Sequence, residues 1–92
     1  MANPIVLSDN LTIHNIQTLF DELKQRCSET DNEIILDASG IEDIDTSGFQ
    51  MLLALKRHSE NGGKQLQWLG VDEKVIELSR KLALQTPLNF PV

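Results

Sequence analysis

Cysteine is nearly absent from this chain of 92 residues: Cys27 stands alone. An internal disulfide is thereby excluded, no Cys/His cluster has metal-ligand spacing, and the pattern points to a reducing compartment. Basic residues are also scarce. Eight Lys and Arg face fourteen Asp and Glu, a net charge of -6, so the field of the protein repels phosphate backbones and anionic headgroups and excludes nucleic acid as a natural partner. No apolar run reaches the roughly 18 residues of a membrane span. Met1-Ala2-Asn3-Pro4 lacks the basic region and apolar stretch of a targeting signal. The expectation is a cytoplasmic protein with no membrane insertion. Internal repeats, low-complexity tracts and linkers are missing too, so residues 1–92 read as a single domain.

What is present is an alternation of strand and helix signals. Ile5-Val6-Leu7 is β-favouring, Ser8-Asp9-Asn10 is turn chemistry, and Leu11-Thr12-Ile13 leads into a helix. Ile13, Ile16, Phe20, Leu23 and Cys27 recur at steps of three and four, which predicts an amphipathic helix with one packed side. Residues 28–32 read as a polar surface loop, and Glu29, Asp31 and Glu33 as solvated acids. Glu33-Ile34-Ile35-Leu36-Asp37 has three consecutive apolar residues, as expected of a central strand covered on both faces by helices. Phe49, Leu52, Leu53 and Lys56, widened by Met51 and Leu55, predict a second and more deeply buried helix, ended by Gly62-Gly63.

Lys64-Gln65-Leu66-Gln67-Trp68-Leu69 alternates polar with apolar and reads as a strand, in which Trp68 is either a core anchor or a binding anchor. Asp72 fits the N-cap of a third helix carried by Val75, Leu78 and Leu82, which Pro87 bars from continuing; Leu88 to Val92 could add an edge segment. The fold class is α/β: a small, largely parallel sheet flanked by helices.

The densest polar constellation runs from Asp37 to Gly48, between the carboxyl end of the central strand and the amino end of the second helix, where ligand-facing chemistry collects in open α/β sheets. Ser47 with Gln50 fits a capping box, while Asp45 or Thr46 fits the N-cap as well. A hydroxyl there lies near unpaired N–H groups and the positive end of the helix dipole, so a phosphoryl group carried on it gains about 0.3–2 kcal/mol.

At this point the sequence resembles the STAS domains (sulfate transporter and anti-sigma factor antagonist). The residues that carry the resemblance are Ile34-Ile35-Leu36-Asp37-Ala38-Ser39-Gly40-Ile41, then Ile44-Asp45-Thr46-Ser47-Gly48-Phe49, then the glycine-ended helix at Gly62-Gly63. Ser8-Asp9-Asn10-Leu11-Thr12 resembles the segment before the family's first helix. Against the family pattern the domain is minimal, with shortened termini; Thr46 replaces the serine often found after the aspartate, and Phe49 replaces a leucine.

The resemblance implies a non-enzymatic bacterial signalling module acting in transcription regulation. In anti-sigma factor antagonists of this family the serine matching Ser47 is phosphorylated by a partner that is both serine kinase and anti-sigma factor, and a phosphatase restores it. Asp37 and Asp45 are then expected to orient the hydroxyl, Gly48 to clear the kinase's approach, and Thr46, Gly48 and Phe49 to complete the phosphosite and partner-binding surface. Two alternatives follow from the same resemblance: a STAS subunit that binds the ATPase of a lipid-transport ABC complex, with Thr46 as the contact, or a scaffold in a chemotaxis-type or stressosome-like assembly.

No cofactor is expected. Gly62-Gly63-Lys64 stands after a helix and before a strand, the reverse of the phosphate-loop order. His14 and His58 have no third ligand at metal spacing and read as solvated or capping residues, and Cys27 as a buried thiol. No Ser/His/Asp or Cys/His order supports catalysis.

Overall fold

The computed structural model describes residues 4–30 and 32–90. Its elements, in chain order, are β1 (Ile5–Val6), β2 (Asn10–Leu11), α1 (Ile16–Glu29), β3 (Glu33–Asp37), β4 (Asp43–Ile44), α2 (Thr46–Asn61), β5 (Gln65–Leu69), α3 (Glu73–Lys81) and α4 (Gln85–Leu88). β1, β3 and β5 form a parallel sheet in that order, with β3 central, and β2 pairs in parallel with β4 as a separate two-stranded piece. The α/β class and the parallel sheet flanked by helices are therefore as expected. Asp31, part of the predicted acidic loop, and the N-terminal Met1-Ala2-Asn3 lie outside the described residues.

Register explains where the core sits. Ile5 pairs with Leu36 and Leu36 with Trp68, while Ile34 pairs with Leu66, so these side chains share one face; Ile34 and Leu36 are wholly buried. The other face carries Val6, Ile35 and Leu69. Val6 is 63% and Leu69 48% exposed, and Ile35 is half-buried. The expected cover of β3 on both faces is thus incomplete. The helices concentrate on the Leu36 face, where α2 packs against both α1 and β5, and a three-residue apolar run does not itself require a second layer.

α2 is the most buried helix, with Phe49, Met51, Leu52, Leu53 and Leu55 all in the core, against Leu23 and Cys27 in α1. α1 starts at Ile16, later than its apolar stripe suggests, which leaves Ile13 64% exposed in the preceding turn, and it runs on through Ser28 to Glu29. The Lys64 ammonium closes its C-terminal end, donating to the carbonyls of Cys27 (2.6 Å) and Thr30 (2.9 Å), where the helix dipole favours a cation. Gly63, just past α2, takes φ of 79°, a conformation that glycine adopts without penalty.

Two expectations at the C-terminal end need correction. α3 does start at an Asp72 N-cap, which accepts from the Lys74 N–H, but it buries Val75 and Ser79 and leaves Leu78 and Leu82 exposed. Nine residues packed mainly on α4 are too short a contact to cover the whole apolar stripe. The expected edge segment forms no strand among the described residues: Gln85–Leu88 is α4, with Pro87 in the first turn where its missing N–H costs nothing, and Asn89 caps it. Phe90 then folds into the core against Trp68 (ring centroids 4.8 Å apart) and Phe49 (6.5 Å). Trp68 is accordingly a core anchor, and its indole N–H donates to the Leu88 carbonyl at 2.7 Å. Pro91 and Val92 lie outside the described residues.

Candidate functional site

The pairing of β2 with β4 brings the start of α2 against the connection that leads into α1. Asp45 joins the two. It is the N-cap of α2, with extended backbone; its Oδ1 accepts from the Gly48 N–H at 2.9 Å and its Oδ2 from the Ile13 N–H at 3.0 Å. The Gly48 hydrogen bond is the main cause that holds the Asp45 carboxyl below the usual carboxylate range, with partial burial opposing and the Ile13 bond assisting. The connection is closed by Asn15, whose side chain accepts from the Thr12 N–H at 3.1 Å and donates to the Asn10 carbonyl at 2.6 Å.

Thr46 and Ser47 are the first two residues of α2; Thr46 is exposed and Ser47 half-exposed. Both line a groove of about 330 Å³ between the starts of α1 and α2, together with Ile16, Gln17, Phe20, Gln50 and Met51. The Phe20 ring carries the Lys24 ammonium 4.5 Å from its centroid. A groove of this kind can receive apolar side chains of another polypeptide beside two hydroxyls, and the first turn of α2 favours negative charge.

The remaining expected site residues go elsewhere. Asp37 does not orient the Ser47 hydroxyl: its Oδ1 accepts from both the Ser39 hydroxyl (2.6 Å) and the Ser39 N–H (2.9 Å), which lower its pKa, the hydroxyl first. Asp45 likewise spends its carboxylate on backbone N–H groups, and the N-cap is Asp45 rather than Ser47 or Thr46. Gly48 is buried rather than open to an approaching enzyme: a Cβ there would collide with the Leu11 carbonyl and Ile44 Cγ1. Phe49 is 1% exposed, so it belongs to the core and not to a docking surface. In the other direction, Ile16, Phe20 and Met51 read in the sequence as core stripe, yet they line the groove. Helical spacing does not tell a stripe that ends under the core from one that ends at an opening.

His14 and His58 are exposed, Cys27 is buried, and among the described residues no group of three His, Cys, Asp or Glu side chains is placed to hold a metal.

No curated protein matches the chain significantly. A solved structure does: that of a sulfate transporter family protein from Wolinella succinogenes superposes with a TM-score of 0.74 over 92% of this chain and 69% of the other, at 19% identity, a likeness of fold. A family model described as "Mlab, STAS domain" matches residues 2–89. With the motif segment placed between β3 and α2 in that fold, the chain belongs to the STAS domain family.

Proposed function

We propose that the chain is a non-enzymatic docking module that binds a protein partner through the α1–α2 groove and is switched by reversible phosphorylation of Ser47. A partner serine kinase that is also an anti-sigma factor writes the phosphate, and a phosphatase removes it. One observation carries this reading: Asp45 performs the capping of α2, so Ser47 is not needed as a cap and stands in the wall of an apolar groove.

Phosphorylation takes the net charge from -6 to roughly -8, at a position close in sequence to Glu42, Asp43 and Asp45. Within the free domain the α2 dipole offsets about 1 kcal/mol of the added charge. An unpaired dianion in a protein interface costs about 2–5 kcal/mol, so binding loses more than folding does. The test is incubation of the chain with the cognate kinase, mapping of the phosphate by mass spectrometry, and affinity measurement for Ser47→Ala and Ser47→Asp. Modification at Ser47, with Ser47→Asp binding at least about thirtyfold more weakly than Ser47→Ala, supports the reading. Equal affinities remove it.

A second reading, a STAS subunit that binds the ATPase of a lipid-transport ABC complex, is favoured by Thr46, the more exposed of the two hydroxyl residues at the rim of the groove. Co-purification with an ATPase that is lost on Thr46→Ala, and is indifferent to phosphatase and to Ser47→Ala, selects this reading over the first.

A further inference from the structure

We infer that a second docking surface, between β4 and α3, receives a cationic amphipathic segment of a protein partner. The groove has a volume of about 390 Å³ and shares no lining residue with the Ser47 groove. Its apolar ground continues from the core to the surface: Ile41 and Val75 are 8% and 4% exposed, Ile44 is half-buried, and Leu78 is 37% exposed. Leu78 is thus an aliphatic side chain left facing solvent directly beside buried ones, as an anchor site for another apolar side chain requires.

The rim specifies the sign of the partner. Glu42, Asp43 and Asp72 are exposed around this floor, against a single cation, Lys74. The two salt bridges among the described residues, Lys24–Asp21 and Lys56–Glu60, leave all three rim carboxylates out. Capping explains Asp72, which holds the first turn of α3. It does not explain Glu42 and Asp43, which stand just before α2 but leave its capping to Asp45; their backbone N–H groups both donate to the Asp9 carbonyl, at 2.8 and 3.0 Å, and so fix the rim.

Five of the eight Lys and Arg lie elsewhere: Lys24, Arg26, Lys56 and Arg57 occupy the later halves of α1 and α2, and Lys64 is bound to the end of α1; Arg80 and Lys81 end α3 but do not line the groove, and Arg80 donates to the Gln85 side chain. Complementarity of charge therefore selects a segment with Lys or Arg flanking aliphatic side chains. It also disfavours a second copy of this chain, which would bring its own excess of carboxylates.

The probe is a synthetic helix-forming Leu/Lys peptide of about 14 residues, titrated into the full chain and followed by amide NMR. A matched Leu/Glu peptide and a Leu/Lys peptide of scrambled, non-amphipathic order serve as comparisons. The expected result is saturable shifts at residues 41–44 and 74–78 with the amphipathic cationic peptide alone, while Gln17 and Gln50 stay unmoved. Glu42→Lys with Asp43→Lys, and separately Leu78→Ser, should raise Kd at least about fivefold, and Glu29→Lys on α1 should not. These are surface positions, and the amide spectrum of each variant reports its folding. The inference is overturned by absence of saturable binding, by shifts spread over the acidic surface or centred on the Ser47 groove, or by an equal loss with Glu29→Lys. Concentration-dependent shifts of residues 41–44 without peptide, the sign of a second copy, overturn it as well. None of these results bears on whether Ser47 is phosphorylated.

Discussion

The Asp45 carboxylate holds the Ile13 N–H at 3.0 Å across 32 residues of sequence while its other oxygen caps α2. One side chain thereby sets the spacing between the two walls of the Ser47 groove. Asp45→Ala should lose the cap and the cross-link together, at a cost of about 1–2 kcal/mol in urea denaturation. Partner binding should weaken in the same variant, with the largest amide shifts at Ile13 and Gly48.

The same contacts make stability depend on pH in the acid range. The carboxyls of Asp45 and Asp37 both ionise below their usual value in the folded protein, so the folded state binds fewer protons than the unfolded one. Their contribution is complete above the ordinary Asp value of about 3.9 and is lost as pH falls through the lower folded values. Thermal melting from neutral pH downward should show a drop below about pH 4 that is shallower in Asp45→Asn.

Gly48 has a backbone carbonyl where a side chain would begin. The Leu11 carbonyl beneath α2 cannot swing clear, because β2 is held to β4 by the strand pairing. Gly48→Ala should therefore cost about 1–3 kcal/mol by overpacking, despite alanine's better helix propensity. Gly40, with nothing within 4 Å of a built Cβ, provides the contrast: Gly40→Ala should be neutral or stabilising by up to about 1 kcal/mol.

Trp68, the sole tryptophan, meets Phe90 edge-to-face and donates to the Leu88 carbonyl. Its fluorescence therefore reports on the seating of α4. Phe90→Ala should shift the emission to the red and cost about 3–5 kcal/mol, with far-UV circular dichroism little changed at low temperature.

Cys27 is 2% exposed, and burial raises its pKa, with the Ser59 hydroxyl and Lys64 opposing. Its alkylation at neutral pH should be slow and should accelerate in denaturant in step with unfolding. Rapid modification under native conditions would contradict the packing of α1 on α2.

The sequence by itself determined the order of β1, α1, β3, α2, β5 and α3, because their periods and apolar runs are set by local geometry, whereas the two-residue β2 and β4 and the short α4 carry no period to read; the STAS motif from Asp37 to Phe49 marked the candidate site between β3 and α2. Cys27 as a buried thiol was legible for the same reason: it continues a stripe. Tertiary structure alone decided how the motif's residues are shared out. Asp37 turned to Ser39, Asp45 to Ile13 and Gly48, Phe49 to Phe90, and Gly48 to the Leu11 backbone. The Asp37–Ser39 and Asp45–Gly48 bonds are local, but the Asp45–Ile13, Gly48–Leu11 and Phe49–Phe90 contacts join residues distant in the chain, which no periodicity encodes. The open sheet face at Val6 and Leu69, the exposed Leu78 and the tail folded onto Trp68 follow the same logic: burial is a property of what the rest of the chain places opposite a side chain, and hydrophobicity alone does not place it.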